Sequence, residues 1–174
     1  GLSGTTTLSS SNAHVCALRG QDGAVFCWGA FSDGALGGGN TLPAQGPVQV
    51  KGLTDAISVA AGWSHSCAAR KDGTVWCWGS PVAGKLGTAG GGAPVSAPVQ
   101  IGGVSGAVSV TAGFMYSCAR LASGAALCWG GAEEHALGGP VGPGGKPVKT
   151  TAAADGIDLK SGASHSCMVS KEKG

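Results

Sequence analysis

Glu133, Glu134 and His135 set two carboxylates beside an imidazole, the groups that proton transfer or a metal ion would recruit. No second constellation accompanies them, and no Gly-x-Ser-x-Gly elbow surrounds Ser64 beside His65, so the trio reads as a solvated loop and not as half of an active site. Gly79 to Leu86, GSPVAGKL, nearly spells a phosphate-binding loop with Gly79, Gly84 and Lys85 in place. Residue 86 is Leu where magnesium would need a hydroxyl, and no helical period follows to offer an N-terminus to a phosphate. His14, His65 and His165 recur at equivalent places, but the matching residue between the last two is Tyr116. Equivalent positions on neighbouring repeats stand too far apart to share an ion held at about 2 Å. Buried imidazoles bonded to nearby backbone are the expectation, with no catalytic residue, no metal and no cofactor.

The cysteines are more orderly. Cys67 and Cys77 lie symmetrically about Asp72, Cys118 and Cys128 about Ser123, and Cys16 and Cys27 repeat the arrangement with one extra residue. Residues symmetric about a hairpin turn face each other across two strands, where Cβ atoms lie about 4.5–5.5 Å apart, close to the span of a disulfide. Three cross-strand disulfides are expected, each closing a short loop and worth roughly 2–3 kcal/mol by the chain-entropy argument. They would imply oxidising surroundings and a secretory route to the extracellular space or the cell surface. The spacing also admits reduced thiols filling core space, whereas zinc fits poorly because no Cys-x-x-Cys occurs. Cys167 is the seventh, and its mate would fall about ten residues on, beyond the last residue of this sequence.

The elements that carry these residues come from a repeat. HVCALRGQDGAVFCWG from His14, HSCAARKDGTVWCWG from His65 and YSCARLASGAALCWG from Tyr116 are copies of one unit, and HSCMVSKEKG from His165 begins another. Cys16, Cys67, Cys118 and Cys167 follow one another at intervals of 51, 51 and 49 residues. Leu36-Gly37, Leu86-Gly87 and Leu137-Gly138, then Pro47-Val48, Pro98-Val99 and Pro147-Val148, keep the same register. In the second unit, Ile57 to Ala60, Ser66 to Arg70, Thr74 to Trp78 and Val99 to Ile101 read as short strands between Gly, Pro, Asp and Ser turns. Four short strands in about 50 residues is the size of one propeller blade, which buries its faces by stacking on neighbours. The expected class is all-β: a partial β-propeller over residues 1–174 with about three and a half blades of four short antiparallel strands. The repeats run approximately 5–56, 57–107 and 108–156, with a truncated fourth at 157–174. Trp28, Trp78 and Trp129 recur and are assigned to packing between blades, whereas Trp63 and Trp76 do not recur.

A strand ending in Ala-Gly, then His-Ser-Cys-Ala, an Asp-Gly turn, Val-x-Cys-Trp-Gly and Gly-x-Leu-Gly resembles the repeat of the regulator of chromosome condensation family. That resemblance implies a propeller, usually of seven blades, and extends over nearly the whole chain. Founding members are exchange factors for small GTPases, and secreted bacterial members inhibit β-lactamases. Seven blades need roughly twice this length, so the remaining blades are expected from a longer chain or from neighbouring subunits.

Composition narrows the partners. Charged residues are 11% of the chain, the net charge is +2, and no basic run exists beyond Lys171 and Lys173. The cationic footprint for phosphates is missing, so nucleic acid is not expected. No apolar stretch reaches the roughly 20 residues of a membrane span, so no insertion is expected. The sequence begins at Gly1 without a charged leader or apolar signal core, which suggests a removed leader or a piece of a longer chain. Specificity is free to reside in the variable loops 30–46, 80–97 and 131–146, which should share one rim and contact a protein or glycan, with Phe31, Lys85, Glu133, Glu134 and His135 as the most distinctive side chains. The expected function is a secreted or cell-surface scaffold or adhesion module without enzymatic activity, with GTPase exchange as the alternative.

Overall fold

The computed structural model describes residues 2–30, 33–88, 90–131, 145–150 and 155–171. Three four-stranded antiparallel sheets follow one another along the chain, each with its strands in sequence order. The first holds β1 (Thr5–Ser10), β2 (His14–Arg19), β3 (Ala24–Gly29) and β4 (Ala44–Thr54). The second holds β5 (Ala56–Ala61), β6 (His65–Arg70), β7 (Val75–Gly79) and β8 (Val95–Gln100), with one 3-10 turn at Val82–Gly84. The third holds β9 (Ala107–Ala112), β10 (Tyr116–Leu121), β11 (Ala126–Gly130) and β12 (Val148–Lys149), and a two-stranded hairpin of β13 (Gly156–Ser161) and β14 (Ser166–Ser170) follows. These are the blades of a partial propeller, about three and a half in number.

Local chemistry explains the hairpins. Asp22, Asp72 and Ser123 accept the amides of Ala24, Thr74 and Ala125, closing the same turn three times before glycines of positive φ. The Trp-Gly that ends β7 needs its glycine, because a Cβ on Gly79 would lie 2.6 Å from His65 Cα and from Ser64 O. Every innermost strand skips one residue of its ladder at the same place: Thr6, Ile57, Val108 and Ile157 are bulged.

The core lies between the sheets. One cluster joins Cys16, Leu18, Val25, Cys27, Leu36, Val50 and Leu53 of the first blade to Val59, Ala61, Ala68 and Trp78 of the second. Its successor joins Cys67, Val75, Cys77, Leu86, Ile101 and Val104 to Val110, Ala119 and Trp129. Each blade therefore supplies a trailing face built on its cysteine pair and receives a leading face centred on the next blade's tryptophan. The strands β1, β5, β9 and β13 line a shared trough nearest the propeller axis.

Candidate functional site

The recurring histidines are inter-blade clamps. Nε2 of His14 lies 2.8 Å from Ser66 Oγ, which donates to the Ala35 carbonyl at 2.9 Å, while Trp78 Nε1 donates to that same carbonyl at 2.8 Å. Because Ser66 spends its proton on Ala35, Nε2 of His14 donates, and Nδ1 faces Ser11 Oγ at 3.0 Å, a hydroxyl that also donates to the His14 carbonyl at 3.2 Å. One seam on, His65 Nε2 meets Ser117 Oγ at 2.7 Å, and the Lys85 carbonyl accepts from Ser117 and from Trp129 Nε1. Ser11 is replaced there by Gly62, and His65 Nδ1 has no partner among the described residues. A backbone group of Tyr116 also bonds to His65, as expected of a buried imidazole, and a serine hydroxyl of the next blade is the partner that sequence reasoning did not foresee. Burial lowers the pKa of His14 to about 4 and that of His65 to about 3, the latter helped by the nearby Lys85 ammonium and, in acid, by the protonated His14 ring. Both rings are neutral at pH 7. At the next seam Tyr116 substitutes, its hydroxyl bonding the carbonyls of His165 at 2.5 Å and Gly162 at 3.1 Å.

The structure pairs Cys16 with Cys27, Cys67 with Cys77 and Cys118 with Cys128, each directly opposed in its ladder with Cα atoms 4.1 Å apart. Cys167 is unpaired and exposed. Leu86 is core, as the repeat requires. Lys85 is not the surface residue expected of it. It is only 1% exposed, and its ammonium donates to Ser64 Oγ at 2.5 Å. The backbone of this loop folds in to serve the seam, so the side chain follows it under Ser64. Burial lowers its pKa, an effect that Asp33 opposes. Phe31, Glu133, Glu134 and His135 lie outside the described residues. Gly39 N donates to Ser96 O at 2.9 Å, joining the connection after β3 to strand β8 of the second blade. Leu42 and Val82 stand exposed.

One feature escaped sequence reasoning. Trp63 and Phe114 occupy one repeat position, two residues before His65 and Tyr116, and their rings meet at 4.6 Å between centroids. Both remain more than a third exposed. The signal was the shared Ala-Gly-aromatic run, obscured because the aromatic changes type. The pair stands in a cavity of about 480 Å³ at one end of the axial trough. Trp76, by contrast, donates Nε1 to Thr74 Oγ1 and lies beneath Arg70 on the outer part of the second blade. Among the described residues no helix is long and apolar enough to cross a membrane.

The sequence pattern of the Regulator of chromosome condensation (RCC1) repeat matches residues 22–69 and 56–84. No curated protein sequence matches the chain. Among solved structures, Prp20p from Saccharomyces cerevisiae superposes with a TM-score of 0.80 at 24% identity, over 99% of this chain and 45% of that one. Human WBSCR16 gives a TM-score of 0.79 at 20% identity, over 95% of this chain and 44% of its own. The CRINKLY WD40 ectodomain of the Arabidopsis thaliana receptor kinase ACR4 gives 0.54 at 22% identity, over 97% and 46%. The chain spans less than half the length of each of these structures.

Proposed function

Because the chain is a partial propeller of the regulator of chromosome condensation (RCC1) repeat family, we propose that it is a non-enzymatic binding and scaffold module of an oxidising compartment, secreted or held at the cell surface. The observation that carries this reading is the disulfide set: the cysteines of the first two blades are buried at 0% exposure inside the seams, so the bonds brace the surfaces that hold blades together. A reducing compartment would leave those thiols unbonded. The varied rim loops, with Leu42 and Val82 exposed and Phe31, Glu133, Glu134 and His135 on the same connections, are the surface offered to a protein or glycan partner.

Non-reducing peptide mapping of natively isolated protein tests the compartment. Cross-linked peptides bearing Cys67 and Cys77 are expected, and alkylatable thiols at both would overturn it. A second reading, guanine-nucleotide exchange on a small GTPase, draws on the likeness to Prp20p, whose structure was described together with its binding to Gsp1p and histones. Accelerated nucleotide release from a GTPase on addition of the chain would favour it over the scaffold reading.

A further inference from the structure

The cavity around Trp63 and Phe114 combines a pair of aromatic rings with neutral polar groups. Its polar side chains are Ser10, Ser11, Asn12 and Ser161, its aromatic ones are Trp63 and Phe114, and among the described residues no charged side chain lines it. At about 480 Å³ it falls within the ~300–1,000 Å³ typical of small-ligand sites. It opens into the axial trough through Ser10, Ala61, Ala112 and Ser161, which line both. Farther along, Thr7, Ser9, Ser58, Ser109 and Thr111 extend the row of hydroxyls. Ser109 Oγ, buried in that row, has no hydrogen-bond partner among the described residues. Among the described residues lining the trough, the cation is Lys160, which Asp158 engages at 3.1 Å.

Each property removes a class of ligand. An anion or cation entering the aromatic cavity would lose water with no opposite charge to meet it. A purely apolar ligand would strip water from the hydroxyls and the Asn12 carboxamide without replacing their hydrogen bonds. An added peptide strand needs free backbone edges, but the amides of Trp63 and Phe114 already donate to Gly113 O and Ala163 O at 3.1 and 2.8 Å. What remains is a neutral ligand with an apolar face and many hydroxyls. A pyranose ring has both: its axial C–H bonds present positive edges to the negative face of an aromatic ring, and its hydroxyls pair with serine and asparagine side chains.

We infer that the axial cavity bearing Trp63, Phe114 and Asn12 is a binding site for a neutral oligosaccharide, with a sugar ring stacked on the aromatic pair and the chain running along the hydroxyl-lined trough. The inference deepens the binding-module reading by assigning a ligand class to the axis rather than the rim. It is independent of the compartment, so free thiols in the peptide map would sink the secreted reading and leave this one standing.

The test is titration of the 174-residue chain with cellohexaose, maltohexaose and chitohexaose, read by tryptophan emission and by saturation-transfer NMR. At least one should bind saturably. Trp63→Ala should weaken that binding at least about tenfold, Asn12→Ala should weaken it less, and Trp76→Ala should leave it unchanged. Asn12 is exposed, so its variant keeps the test valid should Trp63→Ala unfold. Three results overturn the inference: no binding at millimolar sugar, binding indifferent to both Trp63→Ala and Asn12→Ala, or tighter binding of a heparin hexasaccharide or a tryptophan-containing peptide at the same residues.

Discussion

The closed seams and the open flanks of this fan are built from the same sequence positions and have different properties. Val59 and Val110 are 4% and 7% exposed inside seams, whereas Leu8, their counterpart in the first blade, is 65% exposed. Trp78 and Trp129 are fully enclosed, yet Trp28 is only half-buried. His14 and His65 are sealed between blades, and His165 in the final hairpin is exposed. Burial in a stacked architecture is therefore a property of the pair of blades, and a blade acquires its core only when a neighbour arrives. The leading face of the first blade also carries Val15 where the others carry Ser66, Ser117 and Ser166. A blade docked there could pack on Trp28 but could not form the histidine–serine bond.

Acid should divide the two regions most sharply. With folded pKa values of about 4 and 3 against an ordinary 6.5, His14 and His65 bind fewer protons folded than unfolded. Their stabilisation is whole above pH 6.5 and is lost as pH falls toward 4 and 3. Asp22, Asp72 and Asp158 also have lowered values, but they titrate below the ordinary 3.8, so the interval from 6.5 down to about 4 isolates the histidines. Urea midpoints should fall across it, and His65→Gln should flatten the fall. An unchanged fall in His65→Gln would remove the seam histidines as its cause.

Tryptophan truncation comes next. Trp78→Ala removes a sealed ring and the bond to the Ala35 carbonyl, and should cost about 3–5 kcal/mol in denaturant unfolding. Trp28→Ala should cost less than about half as much. In any longer chain that covers Trp28 with another blade, the two values should converge.

The disulfides sharpen the contrast further. Cys16, Cys27, Cys67 and Cys77 are fully enclosed, whereas Cys128 is partly exposed at the thinner third seam. Dithiothreitol under native conditions, followed by alkylation and mass mapping, should open Cys118–Cys128 first, since exchange needs access to a sulfur. Replacing Cys67 and Cys77 together by alanine should cost about 2–3 kcal/mol.

The smallest effect concerns Thr150, which stands in the third blade where Val50 and Ile101 stand in the others. It is 8% exposed, and its hydroxyl has no partner among the described residues. Thr150→Val should raise stability by about 1 kcal/mol, read as a higher urea midpoint at constant slope.

Much of this was legible in the residues. The symmetry of Cys67 and Cys77 about Asp72 predicted their pairing because a hairpin's register follows from its turn. The assignment of Trp78 and Leu86 to core followed from recurrence alone. Lys85 misled, because a lysine in a glycine-rich loop reads as exposed until the seam is seen to draw its carbonyl inward. Trp63 and Phe114 were missed as a pair since letter identity, rather than position, defined recurrence.

The chain's own order of residues determined the blade: its strands, turns, cysteine pairs and period are local, set by side-chain alternation and turn geometry within about 50 residues. Tertiary structure alone decided what the blades make together. The serine that receives each histidine, the carbonyl shared by serine and tryptophan, and the cavity gathered at the axis all join residues tens of positions apart. Such contacts depend on the angle at which one twisted sheet packs on the next, and no single repeat encodes that angle.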